Sequence, residues 1–176
     1  MKHLSEAIVF AARCHSGQYR KDGKTPYINH PLEVMNLIVN NLEDPHNDVL
    51  IAAVLHDVVE DTNVTLAEIK SMFGVHVSKL VDELTDDKTL TKEERKRIQL
   101  AEVHTLSPEG QLLRLCDKIC NTYDILYAPP GDWDVQRRLD YIHWSKAVVD
   151  KIRGIHPVLE ARFDELYAAG VKLLKL

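Results

Sequence analysis

The sequence from Val49 to Asp61 reads VLIAAVLHDVVED. Seven apolar residues lead directly into one histidine and three carboxylates, so this segment joins a hydrophobic core to a group of metal-ligand and acid–base side chains. If the whole segment is helical, His56 and Glu60 share one face and Asp57 and Asp61 share the neighbouring face. Burying an imidazole and three carboxylates together is costly unless a cation lies among them. A divalent metal ion is the simplest such cation.

The composition is that of an ordinary folded protein and argues against two classes of partner. The chain has 176 residues, 45% hydrophobic and 28% charged, which predicts a single domain over residues 1–176 with its own core. The formal net charge of −5 argues against a nucleic-acid partner. A membrane partner is not expected either, because no apolar run approaches the length of about 18 residues that a spanning helix needs.

The cysteines and the N-terminus indicate a cytoplasmic protein. The three cysteines are odd in number and lack the spacing of a disulfide framework, and the first residues lack a signal-peptide pattern. We therefore predict reduced thiols. Cys116 and Cys120 lie one helical turn apart, and we predict small core residues here rather than a metal-binding pair.

Apolar residues recur with a helical period along nearly the whole chain, and no alternating run is long enough to require a sheet. Thr65 and Thr91 are each followed three residues later by a glutamate, which is the capping-box pattern of a helix start. A Pro-Pro-Gly turn at 129–131 precedes two final helices, predicted over 135–153 and 157–174. The sequence therefore predicts an all-α fold.

Four side chains are candidate metal ligands. His30 is predicted to lie at the start of the second helix, because Pro31 suits the first helical position. His56 and Asp57 are adjacent, and Asp117 interrupts an apolar run. Two imidazoles and two carboxylates suit Mn²⁺, Fe²⁺, Zn²⁺ or Mg²⁺. The absence of cysteine ligands disfavours a structural zinc site.

Each candidate ligand also has an ordinary structural explanation. His30 could be a helix-entry residue, and residues 57–60 could be a solvated helix end. An aspartate in an apolar run must be paired, capped or coordinated, and Asp117 could pair with Arg114 or Lys118. The remaining histidines form no pair spaced four residues apart, so they are predicted to be surface or core residues, which weakens the case for a second metal.

Longer motifs resemble one enzyme family. His30, the pair His56-Asp57 and Asp117 resemble the H…HD…D signature of the HD superfamily of metal-dependent phosphohydrolases. Over roughly residues 1–165, the chain resembles the hydrolase domain of the RelA/SpoT family, and most closely its small stand-alone alarmone hydrolases. The motifs that carry this resemblance are Arg20–Asp22, Thr25–Pro31, Leu55–Thr62, Phe73–Gly74, Leu84–Lys88 and Leu115–Asn121.

The resemblance implies a fold, a metal and a reaction. The implied fold is an HD-type helical bundle of about ten helices. One Mn²⁺ ion, or another divalent metal, would be bound by His30, His56, Asp57 and Asp117. The enzyme would remove pyrophosphate from the 3′ position of the nucleotides ppGpp and pppGpp, giving GDP or GTP. Because the chain ends at Leu176 with no room for a nucleotide-synthesis domain, hydrolysis alone is expected.

The resemblance also implies roles for five other side chains. Glu60 and Asp61 match the catalytic acidic pair of the family. Arg20, Lys21 and Asn121 match residues that help to hold the nucleotide and its phosphates. On residue chemistry alone, Arg20 and Lys21 would more simply belong to a solvated loop.

Two other functions stay open on the sequence. An HD-family phosphatase acting on another nucleotide, such as NADPH, would need nearly the same pocket chemistry. A non-catalytic nucleotide-sensing module would be favoured if a ligand or an acidic residue were missing, and none is missing.

Overall fold

The computed structural model describes residues 2–175, which contain ten α-helices, two 3-10 turns and no β-strand. The prediction of an all-α fold with about ten helices is therefore confirmed. In chain order the helices are α1 Lys2–Cys14, α2 Asn29–Asn41, α3 Asn47–Leu55, α4 Val58–Asp61, α5 Leu66–Phe73, α6 Val75–Leu84, α7 Lys92–Glu102, α8 Pro108–Tyr127, α9 Val135–Val149 and α10 Pro157–Leu174.

The described residues group into two compact units. The first comprises residues 2–18 and 26–96, and the second comprises residues 19–25 and 97–175. The first unit thus contains α1 to α6, and the second contains α8 to α10 together with the short loop at 19–25. That residues 1–176 form a single domain stays a prediction.

Helix α3 is the centre of the first unit. Every residue from Val49 to Leu55 is buried, and the helix packs against α1, α2 and α6. A helix that is apolar on all sides must be surrounded by other elements, which is why this stretch lies at the core. The core in turn fixes the position of the residues that follow Leu55.

The segment 49–61 is not one continuous helix, so the condition under which His56 and Glu60 would share one helix face is not met. Helix α3 ends at Leu55, and His56 and Asp57 form the junction before the single turn of α4. The backbone angles φ and ψ change from −58° and −31° at His56 to −96° and −7° at Asp57, which lies in the bridge region. The side chains of His56 and Asp57 therefore lie at the end of the buried helix α3, not along one face of a longer helix.

Capping-box sequences predict two helix starts correctly, whereas one predicted start and one predicted end differ from the structure. Thr65 and Glu68 form the reciprocal hydrogen bonds of a capping box, and Thr91 and Glu94 do the same. Helix α2 begins at Asn29, two residues earlier than predicted, and His30 lies in its first turn. Helix α9 ends earlier than predicted, because a 3-10 turn occupies 150–152.

In the second unit, α8 packs against α9 and α10. Cys116 and Cys120 on α8 are buried, which confirms the prediction that they are core residues. Burial raises the pKa of the Cys116 thiol to about 12, and the neighbouring Asp117 carboxylate contributes to the same shift, so this cysteine is a neutral packing residue. Among the described residues, no helix is both long and apolar enough to cross a membrane.

Phe163 of α10 is the most informative position for testing the core of the second unit, because it is the largest fully buried side chain. Phe163→Ala is expected to reduce the free energy of unfolding by about 3–5 kcal/mol, through lost burial and the cavity left behind. Val158→Ala, at a position of α10 that is 63% exposed, is the control and should change stability by less than about 0.5 kcal/mol. Chemical denaturation followed by circular dichroism measures both. Equal effects would contradict the described packing.

Candidate functional site

Three of the four predicted metal ligands converge in the first unit. His30, His56 and Asp57 each offer one ligand atom, and these atoms all lie within 4.8 Å of one another. The Nε2 atoms of His30 and His56 are 3.6 and 3.2 Å from the same Asp57 oxygen, Oδ2. Both imidazoles are almost completely buried, at 1% and 2% exposure, so the core of this unit holds them rigidly.

The tautomer of His56 suits this trio to a divalent ion. His56 Nδ1 is 2.8 Å from the carbonyl oxygen of Ala53, which can only accept a hydrogen bond, so Nδ1 donates its proton there. In the neutral ring, Nε2 then carries a lone pair, and it lies 3.2 Å from a carboxylate oxygen. Two lone-pair atoms at this distance repel each other unless a proton or a metal cation lies between or beside them, and a divalent ion would meet that need. Metal-binding histidines commonly donate their second nitrogen to a carbonyl in this way.

Tyr27 orients the carboxylate of the trio. Its hydroxyl donates a hydrogen bond of 2.7 Å to Asp57 Oδ2, and its ring contacts His30 edge to face. Such outer contacts fix the direction of a ligand. Tyr27 lies inside a motif that carries the family resemblance, but the sequence alone indicates no role for it.

The fourth predicted ligand, Asp117, lies in the second unit, in the buried middle of α8. The Asn121 side-chain amide donates a hydrogen bond to Oδ1 of Asp117. Lys118 Nζ and Arg114 Nη1 lie 3.4 and 3.9 Å from its Oδ2. The pairing with Lys118 and Arg114 that was weighed as the ordinary explanation is thus present. The role of Asp117 as a metal ligand stays a prediction.

The predicted acidic pair, Glu60 and Asp61, contacts the ammonium group of Lys88, a contact that the sequence alone did not indicate. Lys88 Nζ lies 3.1 Å from Glu60 Oε1 and 2.8 Å from Asp61 Oδ1. Glu60 also accepts a hydrogen bond of 3.1 Å from the backbone N–H of Asp86 and lies 3.5 Å from Arg95 Nη1. The two carboxylates are therefore held in defined positions rather than left in solvent.

The environment of Glu60 favours proton transfer. Burial raises the pKa of the Glu60 carboxyl, and the negative charge of Asp57 raises it further, against the lowering effects of the Asp86 N–H and Lys88. A carboxylate with a raised pKa is a better proton acceptor near neutral pH. In the same cluster, burial alone would lower the pKa of Lys88, but the Asp61 and Glu60 carboxylates raise it above the ordinary value, so Lys88 stays charged.

Two of the predicted nucleotide-binding residues form one network in the second unit. Arg20 donates to Asp124 Oδ2 through Nε and Nη2, at 2.9 and 2.7 Å, and Nη2 also donates to Asn121 Oδ1 at 2.7 Å. Since the Asn121 amide donates in turn to Asp117, the network runs from Arg20 to Asp117. Asp124 was missed, but the spacing 117, 121, 124 places all three side chains on one helix face and could have revealed it.

Lys21 lies over aromatic rings. Its Nζ is 5.4 Å from the centroid of the Trp133 ring and 5.9 Å from that of Tyr141, a distance typical of cation–π contacts. The following turn is closed by Asp22, which accepts hydrogen bonds from the backbone N–H groups of Lys24 and Thr25. The loop at 19–25 therefore makes specific contacts although Lys21 itself is exposed, and a role of Arg20 and Lys21 in nucleotide binding stays a prediction beside the alternative of a solvated loop.

Known proteins resemble this chain over nearly its whole length. The HD domain family matches residues 7–140. The protein of Xenopus tropicalis named guanosine-3′,5′-bis(diphosphate) 3′-pyrophosphohydrolase MESH1 is 44% identical over 165 residues, covering 93% of this chain and 92% of that protein. The Homo sapiens protein of the same name is 43% identical over the same shares of both chains.

The fold is shared as well. A solved structure of a metazoan orthologue of SpoT, described as hydrolysing ppGpp, has a TM-score of 0.93 and 39% identity, and the superposition covers 96% of each chain. The predicted HD-type helical fold and the resemblance to the RelA/SpoT hydrolases are therefore confirmed.

Proposed function

Since this chain belongs to the HD domain family, and within it to the family of the MESH1 pyrophosphohydrolases, we propose that it is a metal-dependent hydrolase of ppGpp and pppGpp. It would remove the 3′ pyrophosphate and leave GDP or GTP. One observation carries the proposal above the others: two buried imidazoles and a carboxylate converge in the first unit, and an acidic pair follows three residues later.

We propose that His30, His56 and Asp57 hold one Mn²⁺ ion, with Asp117 as the further ligand that the family resemblance implies. The mixture of imidazole and carboxylate donors supports a divalent ion of this class. Such an ion, when bound, neutralises charge on phosphate oxygens and lowers the pKa of a coordinated water. Tyr27 and the Ala53 carbonyl would keep Asp57 and His56 in the orientation that binding needs.

We propose that Glu60 is the general base. Hydrolysis forms a bond between the water oxygen and the 3′ phosphorus and breaks the bond from that phosphorus to the 3′ oxygen. Glu60 would accept the proton that the water loses, and a proton must reach the departing 3′ oxygen. Lys88 would keep the Glu60 and Asp61 carboxylates together despite their mutual repulsion.

We propose that Arg20, Lys21 and Asn121 help to bind the nucleotide. Both cationic residues lie in an ordered loop, on a chain whose net charge of −5 would otherwise repel a polyphosphate. The guanidinium of Arg20 suits phosphate recognition because it offers several donors in one plane. Of the two rings beside Lys21, Tyr141 is buried, whereas Trp133 is only partly buried and would supply flat apolar surface of the kind on which a base stacks.

Replacing Arg20 and Lys21 together by alanine is expected to raise the KM for ppGpp about tenfold or more, because each charge-assisted hydrogen bond contributes about 1.5–3 kcal/mol. Metal content should stay unchanged, and the defect should be smaller for a nucleotide with a single phosphate. Asp124→Ala is the matched control, since it breaks the same ion pair but keeps the guanidinium. An unchanged KM in the double variant would leave the loop with a structural role only.

The reaction itself is tested by incubating the Mn²⁺-loaded protein with ppGpp and measuring GDP and pyrophosphate. Equal amounts of the two products are expected, with none from metal-stripped protein. Release of single phosphates, or turnover of NADPH but not ppGpp, would favour the alternative of an HD phosphatase acting on another nucleotide. Binding of ppGpp without turnover would favour the sensing module.

We also propose a cytoplasmic location. The support is that Cys14, Cys116 and Cys120 form no disulfide within the described part of the chain. Fractionation of cells that express the tagged protein tests this proposal, and recovery with a membrane or secreted fraction would contradict it.

A further inference from the structure

A second group of metal-binding side chains lies away from the HD motif, in the same unit. His46, Asp48 and His76 each offer one ligand atom, and these atoms lie within 4.8 Å of one another. His76 Nδ1 is 3.2 Å from Asp48 Oδ2, His46 Nδ1 is 3.9 Å from the same oxygen, and the two imidazole rings are 5.8 Å apart between centroids. Nothing in the proposed reaction uses these three residues.

The separations of the two imidazole nitrogens from Asp48 Oδ2 are close to those of ligands around one tetrahedral ion. Zinc lies about 2.0–2.1 Å from imidazole nitrogen and about 2.0–2.2 Å from carboxylate oxygen. Two ligand atoms at those distances and at a tetrahedral angle are then about 3.3 Å apart, from the same bond lengths. Since all three ligand atoms lie within 4.8 Å of one another, adjustments of at most about 1.5 Å in side chains that solvent reaches would bring them to this spacing, which their rotamers can supply. An ion bound at His46 Nδ1 would replace the hydrogen bond of 3.3 Å that this atom accepts from the backbone N–H of Asp48.

The backbone presents the three side chains from two helix starts. His46 is the N-cap of α3, and Asp48 lies in the first turn of that helix. His76 lies in the first turn of α6, which packs against α3. The side chains of His46, Asp48 and His76 are 64%, 32% and 42% exposed, so an ion can enter from solvent and keep a water molecule as its fourth ligand.

We propose that His46, Asp48 and His76 form a second, surface metal site that binds Zn²⁺. Two imidazoles and one carboxylate are the donor set that borderline ions of the zinc class prefer, whereas Mg²⁺ and Ca²⁺ prefer oxygen donors alone. Three protein ligands with an open position are also the arrangement of non-structural zinc sites.

A bound ion would connect the first turns of α3 and α6. Because α3 leads directly to His56 and Asp57, this connection would stabilise the helix that carries the HD motif at its other end. An ion that binds the folded chain and not the unfolded chain raises the unfolding temperature by mass action. The site would thus make the stability of the first unit depend on zinc.

The test compares zinc stoichiometry in the parent, in His76→Ala and in Asp48→Ala by equilibrium dialysis and metal analysis. Each variant is expected to bind one equivalent of Zn²⁺ fewer than the parent. His104→Ala, which removes another exposed histidine, is the control and should bind as the parent does. All of these proteins keep His30, His56 and Asp57. The difference in zinc stoichiometry between them therefore tests the surface site whether or not His30, His56 and Asp57 bind metal.

Thermal unfolding supplies the second measurement. Added Zn²⁺ should raise the unfolding temperature of the parent and of His104→Ala more than that of His76→Ala. Equal zinc stoichiometry in the parent, His76→Ala and Asp48→Ala would overturn the proposal. An equal loss in His104→Ala would overturn it as well, because it would show non-specific binding to surface histidines.

Discussion

His56→Ala is expected to abolish both metal retention and turnover of ppGpp. The substitution removes the imidazole whose Nε2 lies 3.2 Å from Asp57 Oδ2 and whose Nδ1 donates to the Ala53 carbonyl. Loss of an outer contact at a metal site typically costs 10–100-fold in affinity or activity, and loss of a ligand itself should cost more. Metal analysis after gel filtration and a ppGpp turnover assay measure the two effects separately.

Two further variants separate metal loss from damage to the core. Asp57→Asn keeps the size of the side chain and should also lose the metal, while its circular dichroism spectrum stays that of the parent. Tyr27→Phe removes only the hydroxyl that bonds Asp57 and should weaken metal affinity by about 10–100-fold. Undiminished turnover by metal-stripped protein, or a His56→Ala protein that retains its ion, would contradict the proposed centre.

The helices were predictable from the sequence because their signals are local. Apolar periodicity and capping boxes depend on residues within a few positions of one another, and they place the start of α5 and the whole of α10 well. The break after Leu55 was not predictable in this way, because the apolar run and the acidic pair are compatible with a continuous helix. The helix is interrupted by the change in backbone angles at Asp57, and the segment contains no glycine or proline that would predict an interruption.

The candidate site was predictable to the extent that its residues lie in recognisable motifs. His30, His56 and Asp57 converge as expected, and Arg20, Asn121 and Asp117 form one network. Lys88 was not predictable as the partner of Glu60 and Asp61, because those residues lie nearly thirty positions earlier.

The surface trio shows the same limit of sequence reasoning. His46 and His76 are thirty positions apart. The absence of histidine pairs spaced four residues apart therefore could not show whether these two lie close together in the fold. Helix packing brings them to one place, since α3 and α6 begin side by side. A search for ligands spaced four residues apart therefore does not detect a site whose ligands come from two helices that are distant in the sequence.

Glu60→Gln is expected to retain the metal and to lose at least about 100-fold in turnover, as expected for a missing general base. Glutamine keeps the length of the side chain and can still accept the hydrogen bond from the Asp86 N–H, but it cannot take a proton from water. Because burial raises the pKa of Glu60, turnover by the parent should fall on acidification at a higher pH than an ordinary glutamate would give. Whatever activity the variant keeps should lack that acidic limb.

The control for Glu60→Gln is Glu83→Gln, because Glu83 has a similarly shielded carboxylate on α6, with a side chain 15% exposed against 17% for Glu60. Glu83→Gln should leave both metal content and turnover unchanged, since its ionic contact is with Lys79 at 3.9 Å. Metal analysis, together with kcat measured as a function of pH on both sides of neutrality, decides between the possible roles. If metal loss accounts for the whole decrease in Glu60→Gln, then Glu60 is a ligand or a structural residue, and the base must be sought at Asp61.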